Sequence, residues 1–169
     1  MIALQIEDTK DFTSKLFLQE VFDPFWVLEG SIRTHSTLLL DGHLNPDFYS
    51  AEELEELGMK EQPYVCWRVL RPFCFDFIKG KKAPLSFKFS FRLSDSNTEK
   101  LLAQSGVSLS PTDVAGLFLN LHYSQTGIQL TTGISLRLFT TDKSLDHAWD
   151  AMVQRFLKQK EIAFLTRCR

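Results

Sequence analysis

The stretch "YVCWRVLRPFCFDFIKGKKAPLSFKFSFRL", residues 64–93, decides the predicted fold because apolar and polar side chains alternate along most of it. Successive side chains of a β-strand point to opposite faces, so a period of two collects the apolar residues on one face. Leu or Phe occupies every odd position of 85–93, and apolar residues occupy most odd positions of 64–78. The linker "KGKKAP" joins the two runs. We therefore predict a long β-hairpin over this stretch.

The two faces of the predicted hairpin differ in polarity. We expect the face that carries the aromatic rings to be shielded from water and the cationic side chains to stay solvated. The polar face comprises Arg68, Asp76, Ser86, Lys88, Ser90 and Arg92. A sheet with one polar face is usually antiparallel and solvated on that side. Pro72 removes one ladder donor, which predicts a bulge or a sheet edge there.

Further strands and helices are predicted on both sides of the hairpin. Alternating runs predict strands at 2–7, within 25–45, at 116–123 and at 128–139. Helical periodicity predicts helices at 9–22, 51–57, 97–105 and 145–157.

Turn and cap residues punctuate these elements. The predicted helix caps are Asp8, Ser50 with Glu53, Ser96 with Glu99, and Asp142 or Ser144. Gly30 predicts a bulge, and "DG" at 41–42 predicts a hairpin turn or the end of a strand. "SPTD" at 110–113 predicts a capped helical turn.

The segment "SLDHAWD", residues 144–150, groups acids, a histidine and a tryptophan at the start of the last helix. The apolar residues from Leu145 onward follow helical spacing closely. Asp146, His147 and Asp150 are therefore expected to point away from the core. An amphipathic helix start explains this cluster better than a catalytic constellation does.

We predict a single α+β domain over residues 1–169, with a large, mostly antiparallel sheet and helices packed mainly on one face. The order of elements in 2–57 is repeated in 85–159, which suggests two β-α-β-β units in one sheet. That layout resembles one subunit half of the sliding DNA clamps. In clamps the helices that face DNA carry basic residues, whereas the first helix here mixes Lys10 and Lys15 with acids. The departure argues against threading of DNA.

A second resemblance rests on "TTGISLRLFTTDKSLDHAWDAMVQRFL", residues 131–157, together with "DGHLNPDFYSAEE", residues 41–53. Both segments resemble a family of short, uncharacterised proteins from Gram-positive bacteria, known only as a domain of unknown function. The resemblance implies a bacterial, cytoplasmic, single-domain protein. It brings no activity and no catalytic residues.

Charge is distributed unevenly along the chain. Residues 1–62 hold 13 acids and 4 bases, a net charge of −9, whereas residues 63–169 hold 8 acids and 15 bases, a net charge of +7. Such a split suits an acidic surface that meets a basic one, within the chain or between chains. A homo-oligomer or a protein partner held by complementary charge is one interpretation, and a plain solvated surface is the other.

Cysteine usage and hydropathy indicate the cellular compartment in which the protein is expected. Cys66, Cys74 and Cys168 are odd in number and share no CxxC spacing, which suits a reducing cytosol and packed thiols. No window carries the roughly 20 apolar residues of a membrane span, and the N-terminus lacks a signal-peptide pattern. We therefore expect a cytoplasmic protein that does not contact a membrane.

Motifs for catalysis, cofactors and metals are missing from the sequence. Neither a GxSxG nucleophile motif nor a phosphate loop occurs, and no HExxH or HxH spacing is present. We expect no cofactor and no metal. An enzyme that uses His35, Asp41 or His43 ranks last among the hypotheses, since these residues supply neither a nucleophile nor a metal set.

The basic hairpin is the best candidate for a functional surface. Its cations are Arg68, Arg71, Lys79, Lys81, Lys82, Lys88 and Arg92. They suit contacts with an acidic protein or with the phosphates of a nucleic acid, while the aromatic rings are expected to be buried and unavailable for base stacking. A solvated sheet face with edge-protecting lysines is the structural alternative. We predict a non-catalytic binding or accessory module, and the alternative function is a small-molecule binding protein with a Phe-lined pocket for an apolar ligand.

Overall fold

A computed structural model describes residues 1–167, which form seven β-strands and five α-helices. The strands are β1 Ala3–Ile6, β2 Trp26–Arg33, β3 Thr37–Asp41, β4 Ser86–Arg92, β5 Val114–Ser124, β6 Gly127–Leu136 and β7 Phe164–Arg167. The helices are α1 Thr9–Phe17, α2 Ala51–Glu56, α3 Trp67–Ile78, α4 Asp95–Ser105 and α5 Ser144–Gln159. The strands form one sheet in the order β3-β2-β4-β5-β6-β1-β7, and each neighbouring pair is antiparallel. The predicted α+β class and antiparallel sheet are confirmed.

Strand β4 confirms half of the predicted hairpin. Phe87, Phe89 and Phe91 are almost fully buried on one face, while Lys88 is exposed on the other. Ser90 on the polar face donates a hydrogen bond to the side chain of Asn120 on β5, at 2.9 Å. The polar side of β4 is therefore continuous with a polar side of the neighbouring strand.

The other half of the hairpin prediction is wrong, because residues 67–78 form helix α3 instead of a strand. Trp67 and Cys74 are fully buried, and their separation of seven positions equals about two helical turns, whereas a strand would place them on opposite faces. The indole Nε1 of Trp67 donates to the carbonyl oxygen of Leu16, at 2.8 Å, which ties the first turn of α3 to the end of α1. Pro72 lies inside the helix on its exposed side, so neither a bulge nor a sheet edge occurs there.

Helices α1, α3, α4 and α5 enclose an aromatic core with one face of the sheet. The ring of Phe17 on α1 meets that of Phe87 edge-on at 5.3 Å between centroids. The indole of Trp67 lies 4.9 Å from the ring of Phe89. Edge-on and tilted rings of this kind bury large areas and add specific geometry to the core. None of the helices in residues 1–167 combines the length and apolar character needed to cross a bilayer.

Several local features depart from the sequence predictions. The irregularity in β2 lies between Val27 and Glu29 rather than at Gly30. At Gly30 an added Cβ would come within 2.6 Å of the ring of Phe89, so the glycine permits close packing instead of a bulge. Ser94, not Ser96, caps α4 by accepting a hydrogen bond from the backbone N–H of Asn97.

Asp150 does not point away from the core as predicted. The residue is only 8% exposed, and its carboxylate accepts a hydrogen bond from the Oγ1 of Thr132 at 2.5 Å. Thr132 lies on the helix-facing side of β6, so this pair bonds α5 to the sheet. His147, in contrast, is exposed as expected.

The suggested duplication stays a prediction. The order strand, helix, strand, strand, helix does occur twice, from β1 to α2 and from β4 to α5. The pairing differs, however, because β4 pairs with β5 whereas β1 pairs with β6 and β7. Strand β7, which no sequence pattern predicted, completes the sheet edge beside β1. The prediction made for Cys168 lies outside the described residues.

Candidate binding surface

A cationic loop, residues 79–84, connects α3 to β4 and is held at both ends. The backbone N–H of Lys79 donates to the carbonyl oxygen of Phe75 at 2.9 Å and closes the helix. The N–H of Leu85 donates to the carbonyl oxygen of Arg33 at 2.8 Å, which fixes the loop to the end of β2. Between these anchors Gly80 adopts a φ of +147°, which favours glycine. The loop therefore has a defined course across the end of the sheet.

The lysines of the cationic loop are directed to solvent. Lys79, Lys81 and Lys82 are all exposed. The Nζ of Lys79 lies 3.0 Å from Oδ1 of Asp76, but both side chains are more than half exposed, and such surface pairs contribute little. The loop consequently keeps most of its positive charge available to an incoming anion.

Two apolar grooves flank the cationic loop. The larger groove has a volume of about 640 Å³ and lies between the loop, α1, α3 and the strands β4 and β5. Its residues include Lys10, Phe75, Ile78, Phe87 and Tyr123, together with the loop lysines Lys79 and Lys82. The smaller groove, of about 450 Å³, lies between the loop and the turn that joins β2 to β3. Among the described residues, no Asp or Glu lines either groove.

Only part of the predicted basic surface is assembled in three dimensions. Lys79, Lys81 and Lys82 come together at the loop, as the prediction required. Lys88 lies on the open face of the sheet, and Arg68 is exposed on α3. The predicted cluster of seven cations on one hairpin face is therefore wrong, because half of that hairpin is a helix.

Two of the predicted cations are committed to structural contacts. Arg71 donates from Nε and Nη2 to the two carboxylate oxygens of Asp23, at 2.8 and 3.0 Å, and both side chains are largely buried. Arg92 donates from Nη2 to Asp95 at 2.9 Å, and its guanidinium lies 5.2 Å from the centre of the Trp26 ring. Charge-assisted bonds hold both guanidinium groups, and aromatic rings also hold that of Arg92, so neither group is available to bind a ligand.

Lys10 is the groove cation that sequence reasoning missed. It lies in the first turn of α1, far from the loop in sequence, and reaches the larger groove only because α1 packs beside α3. No local pattern distinguishes it from the other lysines of the chain. Tertiary packing alone identifies it.

The histidines do not assemble a catalytic or metal site. The backbone N–H of His43 donates to the Oδ1 of Asp41, and the Nδ1 of the His43 ring lies 2.5 Å from the same oxygen. These hydrogen bonds lower the pKa of the Asp41 carboxyl. His35 lies at the opposite end of β3, with its ring 5.6 Å from that of Phe77. Within residues 1–167, no three His, Cys, Asp or Glu side chains are placed to share a metal ion.

An acidic arm, residues 44–62, projects from the other end of β2. It is closed at its base by the pairing of His43 with Tyr64 and by a 3.0 Å hydrogen bond from the N–H of Leu44 to the carbonyl oxygen of Pro63. The arm holds six acids and one lysine. Its helix α2 buries no side chain, and the ring of Phe48 is 82% exposed. The arm is thus an exposed acidic segment that displays an aromatic ring.

The fold and this surface define a small α+β protein with a cationic, apolar cleft at one end of an antiparallel sheet. A family model described as a family of unknown function, DUF5721, matches residues 15–165. Because the match spans most of the chain, the protein belongs to this family. This confirms the resemblance to a domain of unknown function. Comparisons with curated proteins and with solved structures gave no match.

Proposed function

We propose that the protein is a non-catalytic binding module that recognises an acidic protein segment bearing aromatic or aliphatic side chains. The observation that supports this is the combination at the cationic loop of exposed lysines with apolar grooves that no described carboxylate lines. Ammonium groups at the rim favour an acidic partner, and the apolar floor favours side chains that leave water. Neither property alone would distinguish the loop from ordinary surface.

Nucleic acid suits this surface less well than an acidic protein segment does. Phe87 is buried and Tyr123 is half-buried, with the two rings stacked on each other at 4.9 Å. They are therefore not presented as platforms for successive bases. Arg71 and Arg92, which would supply forked contacts to phosphates, are already bonded to acids.

A small amphipathic molecule is the second candidate ligand, and the larger groove favours it. Its volume of about 640 Å³ falls in the range of sites for small molecules. Phe75 and Ile78 would contact an apolar chain, while Lys10 and Lys82 would pair with an anionic head group. A fatty acid has this chemistry.

The binding proposal is tested by fluorescence anisotropy with a labelled synthetic peptide in which Glu alternates with Phe and Leu. We expect the loop variant Lys79→Glu/Lys82→Glu to weaken peptide binding at least about tenfold, because attraction becomes repulsion. The control variant Lys100→Glu/Lys143→Glu makes the same charge change at exposed lysines outside the grooves and should bind like the unmodified chain.

Further probes separate the alternatives in the same experiment. A peptide with Gln in place of Glu should bind weakly. If a labelled single-stranded oligonucleotide binds more tightly than the peptide and loses affinity in the loop variant, the surface is a nucleic-acid site and the proposal fails. If palmitate raises the melting temperature while the peptide does not bind, the small-molecule function replaces it.

We also propose that the protein acts in the cytoplasm of a bacterium and that its two halves are related as in clamp subunits. The thiols of Cys66 and Cys74 are free of disulfides, which supports a reducing compartment. The repeated order of elements supports the clamp relationship.

A further inference from the structure

The acidic arm and the cationic loop lie at opposite ends of β2. At one end the N–H of Val27 donates to the carbonyl oxygen of Val65, just after the arm, at 2.9 Å. At the other end Leu85, just after the loop, donates to Arg33. A strand rises roughly 3.3 Å per residue, so about 20 Å of β2 separates the two attachment points. No hydrogen bond or ion pair in the described residues joins the arm to the loop of the same copy.

The arm and the larger groove are complementary in charge and in apolar character. The arm carries a net charge of −5, and the groove is lined by three lysines without a described acid. The arm exposes the ring of Phe48 and the aliphatic side chain of Leu57, which are 82% and 49% exposed. The groove offers the half-buried Phe75 and Ile78 as apolar contacts. A ring that leaves water in such a cleft contributes most of the affinity, and the flanking charges set its direction.

We propose that a second copy of this chain occupies the larger groove, with the acidic arm of each copy docked against the cationic loop of the other. The inference rests on the proposed function, and it names the acidic segment that the loop recognises. In a symmetric dimer each arm occupies the groove of the other copy, so no arm and no groove is left free and the assembly is closed. A one-way contact would leave one arm and one groove free and would add further copies in an open chain. The uneven charge of the two parts of the sequence is then a device for self-recognition.

The test measures the mass of the full chain by sedimentation and light scattering over a range of concentrations, in about 50 mM and about 500 mM NaCl. We expect a dimer whose dissociation constant rises at least about tenfold in the higher salt, because exposed charges are then screened. A monomer at every concentration in the lower salt would overturn the inference.

Charge reversal supplies the sharper measurement. The loop variant Lys79→Glu/Lys82→Glu and the arm variant Glu52→Lys/Glu56→Lys should each weaken dimerisation at least about tenfold, since each sets like charges together. A chain that carries both sets of changes should recover dimerisation, because its arm is basic and its loop acidic. Failure of the combined variant to recover would contradict docking of arm on loop.

Two further variants distinguish the contact from general charge effects and from misfolding. Lys100→Glu/Lys143→Glu should dimerise normally, and circular dichroism should show the same fold in every variant. Phe48→Ala should weaken the dimer without changing its salt dependence. A monomeric chain that still binds the acidic peptide would remove this inference alone, whereas loss of peptide binding as well would remove the proposed function.

Discussion

Segments 67–78 and 86–92 carry a similar alternation of aromatic and polar residues, yet the first folds as helix α3 and the second as strand β4. In β4 the rings recur at every second position, and a helix would scatter them around its circumference. In 67–78 the odd positions are mostly apolar as well, but Trp67, Leu70 and Cys74 also recur at helical spacing, so the segment as a whole fits both periods. The difference shows that alternation is decisive only when it excludes the helical stripe.

The test of this comparison with the largest expected effect replaces one phenylalanine in each segment. Phe89→Ala in β4 should lower the free energy of unfolding by about 3–5 kcal/mol, because Phe89 is 1% exposed and its removal leaves a cavity among the packed rings. Phe73→Ala in α3 should change it by less than about 0.5 kcal/mol, since that ring is 66% exposed. Urea unfolding measures both. Equal losses would mean that both segments present their odd positions to the core.

The next test uses the two arginines of α3. Arg71→Ala should cost about 2–3 kcal/mol because it leaves the carboxylate of Asp23 largely buried without its partner. Arg68→Ala should change stability by less than about 0.5 kcal/mol, as expected for an exposed side chain. If the double variant Asp23→Ala/Arg71→Ala loses as much as the sum of the single variants, the two groups do not interact and the helical placement of Arg71 is contradicted.

The smallest effect comes from the thiol of Cys74, on the buried side of α3. Burial raises its pKa from the usual 9.0 to about 12. The folded chain therefore keeps this proton at a pH where the unfolded chain loses it. The thiol's contribution to stability is complete below about pH 9 and is lost as the pH rises towards 12; up to about pH 10, the range of the measurement, the loss is on the order of 1 kcal/mol.

Urea unfolding between about pH 8 and 10, with Cys74→Ala as the comparison, measures that decline. The other titrating groups are common to both chains, so the difference between the two pH slopes reports the thiol. We expect a shallower decline in the variant. Identical slopes would show that the thiol is not buried in the folded chain.

The candidate surface was predicted only where local sequence suffices. Lys79, Lys81 and Lys82 lie in a linker both in the predicted hairpin and in the observed connection from α3 to β4, so their exposure follows from the sequence. Arg71 was misassigned because its partner Asp23 lies 48 positions away in the chain. Lys10 was missed for a related reason, since only the packing of α1 beside α3 brings it to the larger groove. The acids of the arm contribute to the net charge of −9 that the sequence shows for residues 1–62, but the exposure of its aromatic ring was not predicted.

By itself, the sequence determined the α+β class, six of the seven described strands, the buried side of β4 and the uneven distribution of charge. These follow from strict periodicity and from composition, which act over a few neighbouring residues. Tertiary structure alone decided that 67–78 is a helix, which cations are bonded to acids and which remain at the grooves. Those outcomes depend on contacts such as Trp67 with Leu16, between residues that no local pattern connects.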